Sequence, residues 1–440
     1  MIYLILLVFS IFLGPRLLAV QTPVAQLSIY RVSILAFPLL LLLSMGRGKQ
    51  RFYLLGHSLA TYSLYGYIIW LAWAFVSIMW VSDIKLWFQA IFLMTMGIFL
   101  IAALYLLTPG LKAWYTLIKV AWLSISIQVL WGYFEIISNR YIFADLSKLD
   151  KYGTFSSQPL TRMPITYFAN QNDYAILMIA YITLCTILLY RARSWWFKGL
   201  LVGSMAAAAY LIYRSGSRMA LLVLGLYGAL TVLNHFKLRF SGIQWKKCLL
   251  LLITLGLVTY LVRPGLYETL GRFIISQDGF NRISGDMGRV NLYKNGFIFL
   301  VETFGFGVGA GNIEVWMAET AYFPTQGIVN MHNWWLEIMV AYGIGVFVIY
   351  VLTYLGLMYR LWQLRLDSSP SLGLTSRTLF NFMVIYVFAS ITSANNMLIE
   401  WHWAFMGLII TFVKLQEQAH KEGFHGFIPN HGRTFTFPQR

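Results

Sequence analysis

The side chains in this sequence that could do chemistry are a histidine and a set of arginines. His332 stands in Met331-His332-Asn333-Trp334-Trp335-Leu336-Glu337, just before an apolar run that continues through Ala341-Tyr342-Gly343-Ile344-Gly345 to Met358. An imidazole is the side chain best able to accept a proton near neutral pH. Beside a helix N-terminus its cation is disfavoured, so the neutral, basic form is populated. The run is long enough to cross a bilayer, which predicts that His332 sits where a transmembrane helix emerges into water. The competing role is anchoring, with His332 and two tryptophans holding a helix at headgroup level.

The arginines precede this histidine in the chain. Arg214-Ser215-Gly216-Ser217-Arg218 is a tight polar connection between two short apolar runs, with a guanidinium at each end. Arg162 lies in a polar segment upstream, and Arg289 opens Arg289-Val290-Asn291-Leu292-Tyr293. Near membrane depth a guanidinium is costly unless it faces an anion or a wet cavity. Its planar fork also suits the oxygens of a phosphate. Snorkelling to lipid headgroups is the other reading. The run Gly305-Phe306-Gly307-Val308-Gly309-Ala310-Gly311-Asn312 lacks the Lys-Ser/Thr of a phosphate-binding loop and follows no strand. Its alternate glycines fit either close backbone packing or amides presented to an anion.

Asp173, Glu302, Glu314, Glu319 and Glu337 are spread too widely for a metal centre, so no metal and no cofactor is expected. These acids are expected in solvated loops or paired with the arginines, and Glu337 is expected to be structural. His402, in Trp401-His402-Trp403, fits an aromatic belt. One histidine plus several arginines suits transfer from a lipid-linked pyrophosphate: the cations hold a leaving group whose charge grows, and the imidazole takes a hydroxyl proton.

The elements that position these residues must be membrane helices. Of 440 residues, 59% are hydrophobic and 11% charged, and the mean hydropathy is +0.67. Soluble domains carry about a quarter charged residues, so a polytopic membrane protein is predicted. Backbone in hydrocarbon must bond to itself, and the runs are too long and unalternating for barrel strands. The fold class expected is all-α, with about 12 transmembrane helices by their length and a large extracytoplasmic loop containing short helices. Spans are expected near residues 1–20, 24–45, 58–80, 86–107, 114–137, 174–190, 199–213, 219–233, 248–262, 334–358, 378–394 and 401–413. Residues 1–20 lack a basic leader and a clear cleavage site and are taken as a retained span.

The division expected is residues 1–262 as N-terminal helices with an external loop at 138–173, 263–333 as the large loop, 334–414 as C-terminal helices, and 415–440 as a polar, poorly ordered cytosolic tail. Within the large loop, Val290–Val301 reads as a short amphipathic or re-entrant helix. The net charge of +17 resides mostly in short loops. Arg47, Lys49, Arg51, Arg191, Arg193, Lys198, Lys237, Arg239, Lys246, Lys247, Arg360, Arg365 and Arg377 share one side. Positive-inside bias makes that side cytoplasmic and argues against nucleic acid as a partner. Cys185 and Cys248 form no disulfide framework.

At the reactive residues the sequence resembles the O-antigen ligase/polymerase family of bacterial surface-polysaccharide enzymes, best in its second half. His332-Asn333 through Leu336, Gly343 and Gly345 resemble the family's His-Asn motif and the glycines after it. Arg289, Tyr293 and Gly307-Val308-Gly309-Ala310-Gly311-Asn312 resemble its arginine–aromatic–glycine pattern, and Ser217-Arg218 its Ser-Arg motif. Gly153-Thr154-Phe155 and Asn170-Gln171-Asn172 resemble its first-loop pattern. Tyr293 stands where tryptophan is usual, and Phe304 where proline often precedes the glycines.

The resemblance implies a metal-independent, inverting membrane glycosyltransferase at the outer face of the bacterial cytoplasmic membrane. The donor would be a glycan on undecaprenyl pyrophosphate, and the acceptor a glycan or a lipid. It implies that His332 activates the acceptor and that Arg218 and Arg289 bind the pyrophosphate, with Arg214 and Arg162 as helpers and Asn333 and Asn172 in support. Polymerase is favoured narrowly over ligase. A flippase would need charges along a mid-membrane path and repeated halves. Arg31, Lys119 and Glu135 are the few candidates for buried charges, and no halves are visible.

Overall fold

The computed structural model describes residues 1–17, 19–21, 26–46, 56–150, 152–235, 285–325, 327–366, 369–391 and 399–425. The span expected over 248–262 lies outside the described residues, as do Arg47, Lys49, Arg51, Lys151, Lys237, Arg239, Lys246, Lys247, Cys248, Arg263, Arg272 and Arg282. The described chain is helical apart from a two-residue ribbon, Val20–Gln21 with Gln26–Leu27. Its helices are α1 (Ile2–Leu13), α2 (Ile29–Leu35), α3 (Phe37–Gly46), α4 (Leu59–Val76), α5 (Ile84–Leu107), α6 (Leu111–Ser138) and the short α7 (Leu146–Leu149). Then follow α8 (Gln171–Arg191), α9 (Trp195–Arg214), α10 (Arg218–His235), α11 (Gly285–Glu302), α12 (Ile313–Glu319), α13 (Trp334–Leu364), α14 (Pro370–Ala389) and α15 (Glu400–His425). Among the described residues, seven helical segments are long and apolar enough to cross a membrane, and three shorter apolar ones accompany them.

Local chemistry sets the helix starts. Ser58 caps α4, Asp83 accepts from the Lys85 and Leu86 amides of α5, Asn170 caps α8 and Asn333 caps α13. Each such cap is worth about 1 kcal/mol. In lipid, apolar surface alone does not drive helices together, so close packing over small residues matters. A Cβ on Gly97 of α5 would lie 2.5 Å from the Trp403 ring of α15, and one on Gly132 of α6 would lie 2.2 Å from the Tyr174 hydroxyl of α8.

The helix ends sort onto two faces. Tyr115 near the start of α6 bonds Thr375 near the start of α14, and Arg191 at the end of α8 lies over the Tyr115 ring. That is the basic-loop face, with Arg193, Lys198, Arg365 and Arg377. The opposite ends of α6, α9 and α14 and the starts of α8 and α10 therefore share the other face, which carries the candidate residues.

Three expectations are corrected here. Lys119 is exposed on α6 rather than buried, so it snorkels along the lipid-facing side. Residues 415–425 continue α15 as helix; Leu415, Gln416 and Glu417 are buried, and Glu417 pairs with Arg360 at 3.2 Å. His402 is not in a surface belt. It is 4% exposed, and its neighbour Trp403 packs on Gly97, thirteen residues or about 20 Å down α5 from its start.

Candidate active site

The apolar run after His332 is not one straight helix. Trp334 Nε1 donates to the Tyr350 hydroxyl at 2.9 Å, and the Trp335 and Tyr354 rings lie 5.1 Å apart. In a continuous helix these pairs would be separated by about 24 and 28 Å along the axis. The chain breaks at Gly343, whose φ of 86° and ψ of 173° no other residue adopts without strain. Residues 334–342 form a half-helix that folds back along 344–364.

The break frees carbonyls at membrane depth, where each must find a partner. The glycine run supplies them. Val308 N donates to Val340 O and Gly309 N to Ala341 O, both at 2.9 Å, while Ile344 N donates to Gly305 O. Gly305, Gly307, Gly309 and Gly311 all have positive φ. A Cβ on Gly307 would lie 2.6 Å from Gly343 N, and one on Gly343 would lie 2.4 Å from Gly305 O. Trp80 Nε1 donates to Gly307 O, and Asn312 exchanges two hydrogen bonds with the backbone of Asp83. Of the two readings of this run, close packing is the one realised, and its amides are spent inside the protein.

His332 consequently sits at the start of a folded-back half-helix rather than on a span emerging into water. Trp334, two residues on, packs against Trp70 at 5.9 Å and His402 at 5.0 Å. Its amide donates to Ser390 O just past α14. The half-helix, the end of α14 and the start of α15 thus meet well below the ends of α4 and α5. Helix ends leave backbone groups unpaired, and irregular backbone at this depth survives only inside protein or beside water. His332 is itself partly exposed, with a left-handed φ of 47°, a conformation that His tolerates better than most side chains.

Around it, Asn333 accepts from the Trp335 and Leu336 amides, so its carboxamide caps the half-helix. Asn172 lies partly exposed in the first turn of α8, where its amide donates to the Asn170 cap. Asp173 was expected in a solvated loop or paired with an arginine, and Glu337 was expected to be structural. They are 6% and 8% exposed, in the first turns of α8 and α13, within electrostatic range of the Tyr386 phenol. Helix N-termini favour carboxylates. The one sequence signal for this was each acid's position three or four residues after an asparagine cap.

The four arginines divide sharply. Arg162 Nε donates to Phe155 O at 2.7 Å, and its Nη1 to Ile137 O at 2.8 Å and Ile136 O at 3.2 Å. Arg214 Nη2 donates to Pro159 O at 2.7 Å and Arg162 O at 2.9 Å, and Nη1 to the Tyr210 hydroxyl. Burial pushes the nearby Tyr141 phenol up, Glu135 adds to the rise, and the two arginines oppose it. By contrast, Arg218 is exposed at the start of α10 and Arg289 is half-exposed on α11. Among the described residues neither donates to a carbonyl or pairs with a carboxylate.

Arg289 is turned toward the histidine segment by helix geometry. It lies seven residues, about two turns, before Gly296, hence on the same side of α11. A Cβ on Gly296 would lie 2.7 Å from Met331 Cε and 3.0 Å from Val340 Cγ2. Another side of α11 pins the approach to His332: Asn295 bonds Phe323 O and the Tyr322 and Phe323 amides, and Asn291 bonds Pro324 O.

Comparison with known proteins fits this arrangement. A profile described as O-antigen ligase matches residues 203–351, which run from α9 past the break in α13 and include Arg214, Arg218, Arg289 and His332. The teichuronic acid biosynthesis protein TuaE of Bacillus subtilis (strain 168) is 22% identical over 428 residues, covering 94% of this chain and 84% of that protein. The profile covers the helices and loop that carry the histidine and three of the arginines, and the relative aligns over nearly the whole chain, so the chain is similar to O-antigen ligases and to a teichuronic acid biosynthesis protein.

Proposed function

We propose that this enzyme of surface-polysaccharide assembly transfers a glycan from undecaprenyl pyrophosphate to an acceptor hydroxyl on the extracytoplasmic side of the bacterial cytoplasmic membrane. The observation that carries the reading is the pair of guanidinium groups, Arg218 and Arg289, that bond no carbonyl or carboxylate among the described residues: Arg218 starts α10 on the face where the end of α14 meets Trp334, and Arg289 lies two turns along α11 from Gly296, which abuts Met331. His332 takes the proton from the acceptor hydroxyl as its oxygen attacks the anomeric carbon. The bond from that carbon to the pyrophosphate oxygen breaks, and the electron pair leaves with undecaprenyl pyrophosphate. Arg218 and Arg289 stabilise the charge that grows on the leaving group. A single displacement from the opposite side inverts the anomeric centre. The proton on His332, which is partly exposed, then passes to solvent, and no metal takes part. The side assignment rests on the basic loops of the other face.

Polymerisation is the favoured form, supported by the relative whose name places it in teichuronic acid biosynthesis. Ligation to lipid A core or another terminal acceptor is the second reading, supported by the description of the matching family. A flippase is disfavoured because Arg31 pairs with Glu400 at 2.7 Å and Glu135 is bonded to backbone amides, leaving neither on an open path. Purified protein incubated with lipid-linked repeat units separates the readings. A ladder from donor alone marks the polymerase, product only with added acceptor marks the ligase, and no transfer under either condition defeats the proposal.

A further inference from the structure

The segment between α6 and α8 is fastened by three charged side chains, none of which is spent on another charge. Arg162 closes the end of α6 by donating to Ile136 O and Ile137 O, and reaches back to Phe155 O. Arg214, 9% exposed at the end of α9, ties Pro159 O and Arg162 O to that helix. Glu135, fully buried one turn before the end of α6, accepts from the Ile165 and Thr166 amides at 2.8 and 2.9 Å. Thr166 has a φ of 53°, a strained conformation for a β-branched residue that persists only where the surroundings impose it. The turn that follows Arg214 lies against the same segment, since a Cβ on Gly216 would sit 3.9 Å from Met163 Sδ. Arg218 is the residue that this turn delivers.

We infer that Arg162, Arg214 and Glu135 are positioning residues: they lock residues 155–166 across the ends of α6 and α9 and so fix the turn that presents Arg218. Arg162 and Arg214 then act on the pyrophosphate through Arg218 and not by contact. A guanidinium is required because each arginine uses two of its nitrogens at once on three acceptors, Arg162 its Nε and Nη1 and Arg214 its Nη1 and Nη2, a spread that the single nitrogen of an ammonium does not cover. The inference deepens the glycosyltransferase reading and rests on it only for its binding arm.

The test uses the full-length protein in lipid nanodiscs, with hydrogen exchange across residues 152–170 and binding of undecaprenyl pyrophosphate. Arg214→Lys is expected to raise exchange in 155–166 about tenfold or more and to weaken binding about tenfold. On an Arg218→Ala background it is expected to weaken binding no further, because coupled residues are not additive. Arg162→Lys supplies the same readings if Arg214→Lys does not fold. Unchanged exchange in the lysine variant, or a full additional loss of binding on the Arg218→Ala background, overturns the inference. If wild type does not bind undecaprenyl pyrophosphate, the glycosyltransferase reading fails and exchange alone decides the positioning role.

Discussion

Two pairs of arginines lie in this chain, and they are used in opposite ways. Arg162 and Arg214 have turned their donors onto backbone carbonyls at helix ends, with Arg214 almost fully buried. Arg218, four residues after Arg214, and Arg289 commit their donors to no carbonyl or carboxylate among the described residues. The residue type is the same; the surroundings decide whether a guanidinium becomes part of the wall or is left for a ligand. Charge count alone therefore overstates a binding site, and donor accounting refines it.

The largest effects should fall on the uncommitted pair. Arg218→Ala and Arg289→Ala are each expected to weaken binding of undecaprenyl pyrophosphate by about 1.5–3 kcal/mol, tenfold to a hundredfold, with the thermal transition unchanged. Binding within twofold of wild type in both variants would break the comparison. The committed pair should show the inverse bias, with Arg162→Ala lowering the unfolding temperature because three backbone carbonyls lose their donor at once. An Arg162→Ala protein as stable as wild type would count against a structural role.

The hinge gives an intermediate effect. Gly307→Ala forces a Cβ onto Gly343 N, and such overpacking costs about 1–3 kcal/mol. Glycan transfer should fall with stability, because the half-helix carrying His332 is held by that contact; a variant with full activity and an unchanged transition would refute it. Asn333→Ala removes the cap and is expected to cost about 1 kcal/mol, read from the same thermal scan. Smallest is Glu417→Gln, at the largely buried Arg360 pair on the far face, which keeps an acceptor for the guanidinium and is expected at about 1 kcal/mol with transfer unaffected.

The candidate residues and the membrane class were more legible in the sequence than the path of the chain. His332, Arg218 and Arg289 stand out by type in a chain where charge is rare, and the helical membrane class follows from composition. The fold-back at Gly343 was not legible. Hydropathy reports what surrounds a segment, not its direction, so two antiparallel halves read as one span. The partner that makes the break tolerable, Val308-Gly309, is more than thirty positions earlier in the sequence and is recognisable only once its amides meet Val340 and Ala341. His402 was misplaced for a related reason: tryptophans flanking a histidine look the same at the headgroups as at the start of a helix deep inside the bundle. Asp173 looked solvated or paired with an arginine because loop length hides burial, and Arg162 and Arg214 looked like helpers at the pyrophosphate because backbone acceptors leave no mark on the sequence.

The decisive measurement is glycan transfer by purified His332→Ala protein supplied with lipid-linked repeat units, alongside its binding of undecaprenyl pyrophosphate. With His332 as the proton acceptor and Arg218 and Arg289 as the pyrophosphate clamp, the variant folds, binds the lipid within about twofold of wild type and forms no new glycosidic bond. A full ladder of product from His332→Ala would contradict that assignment outright.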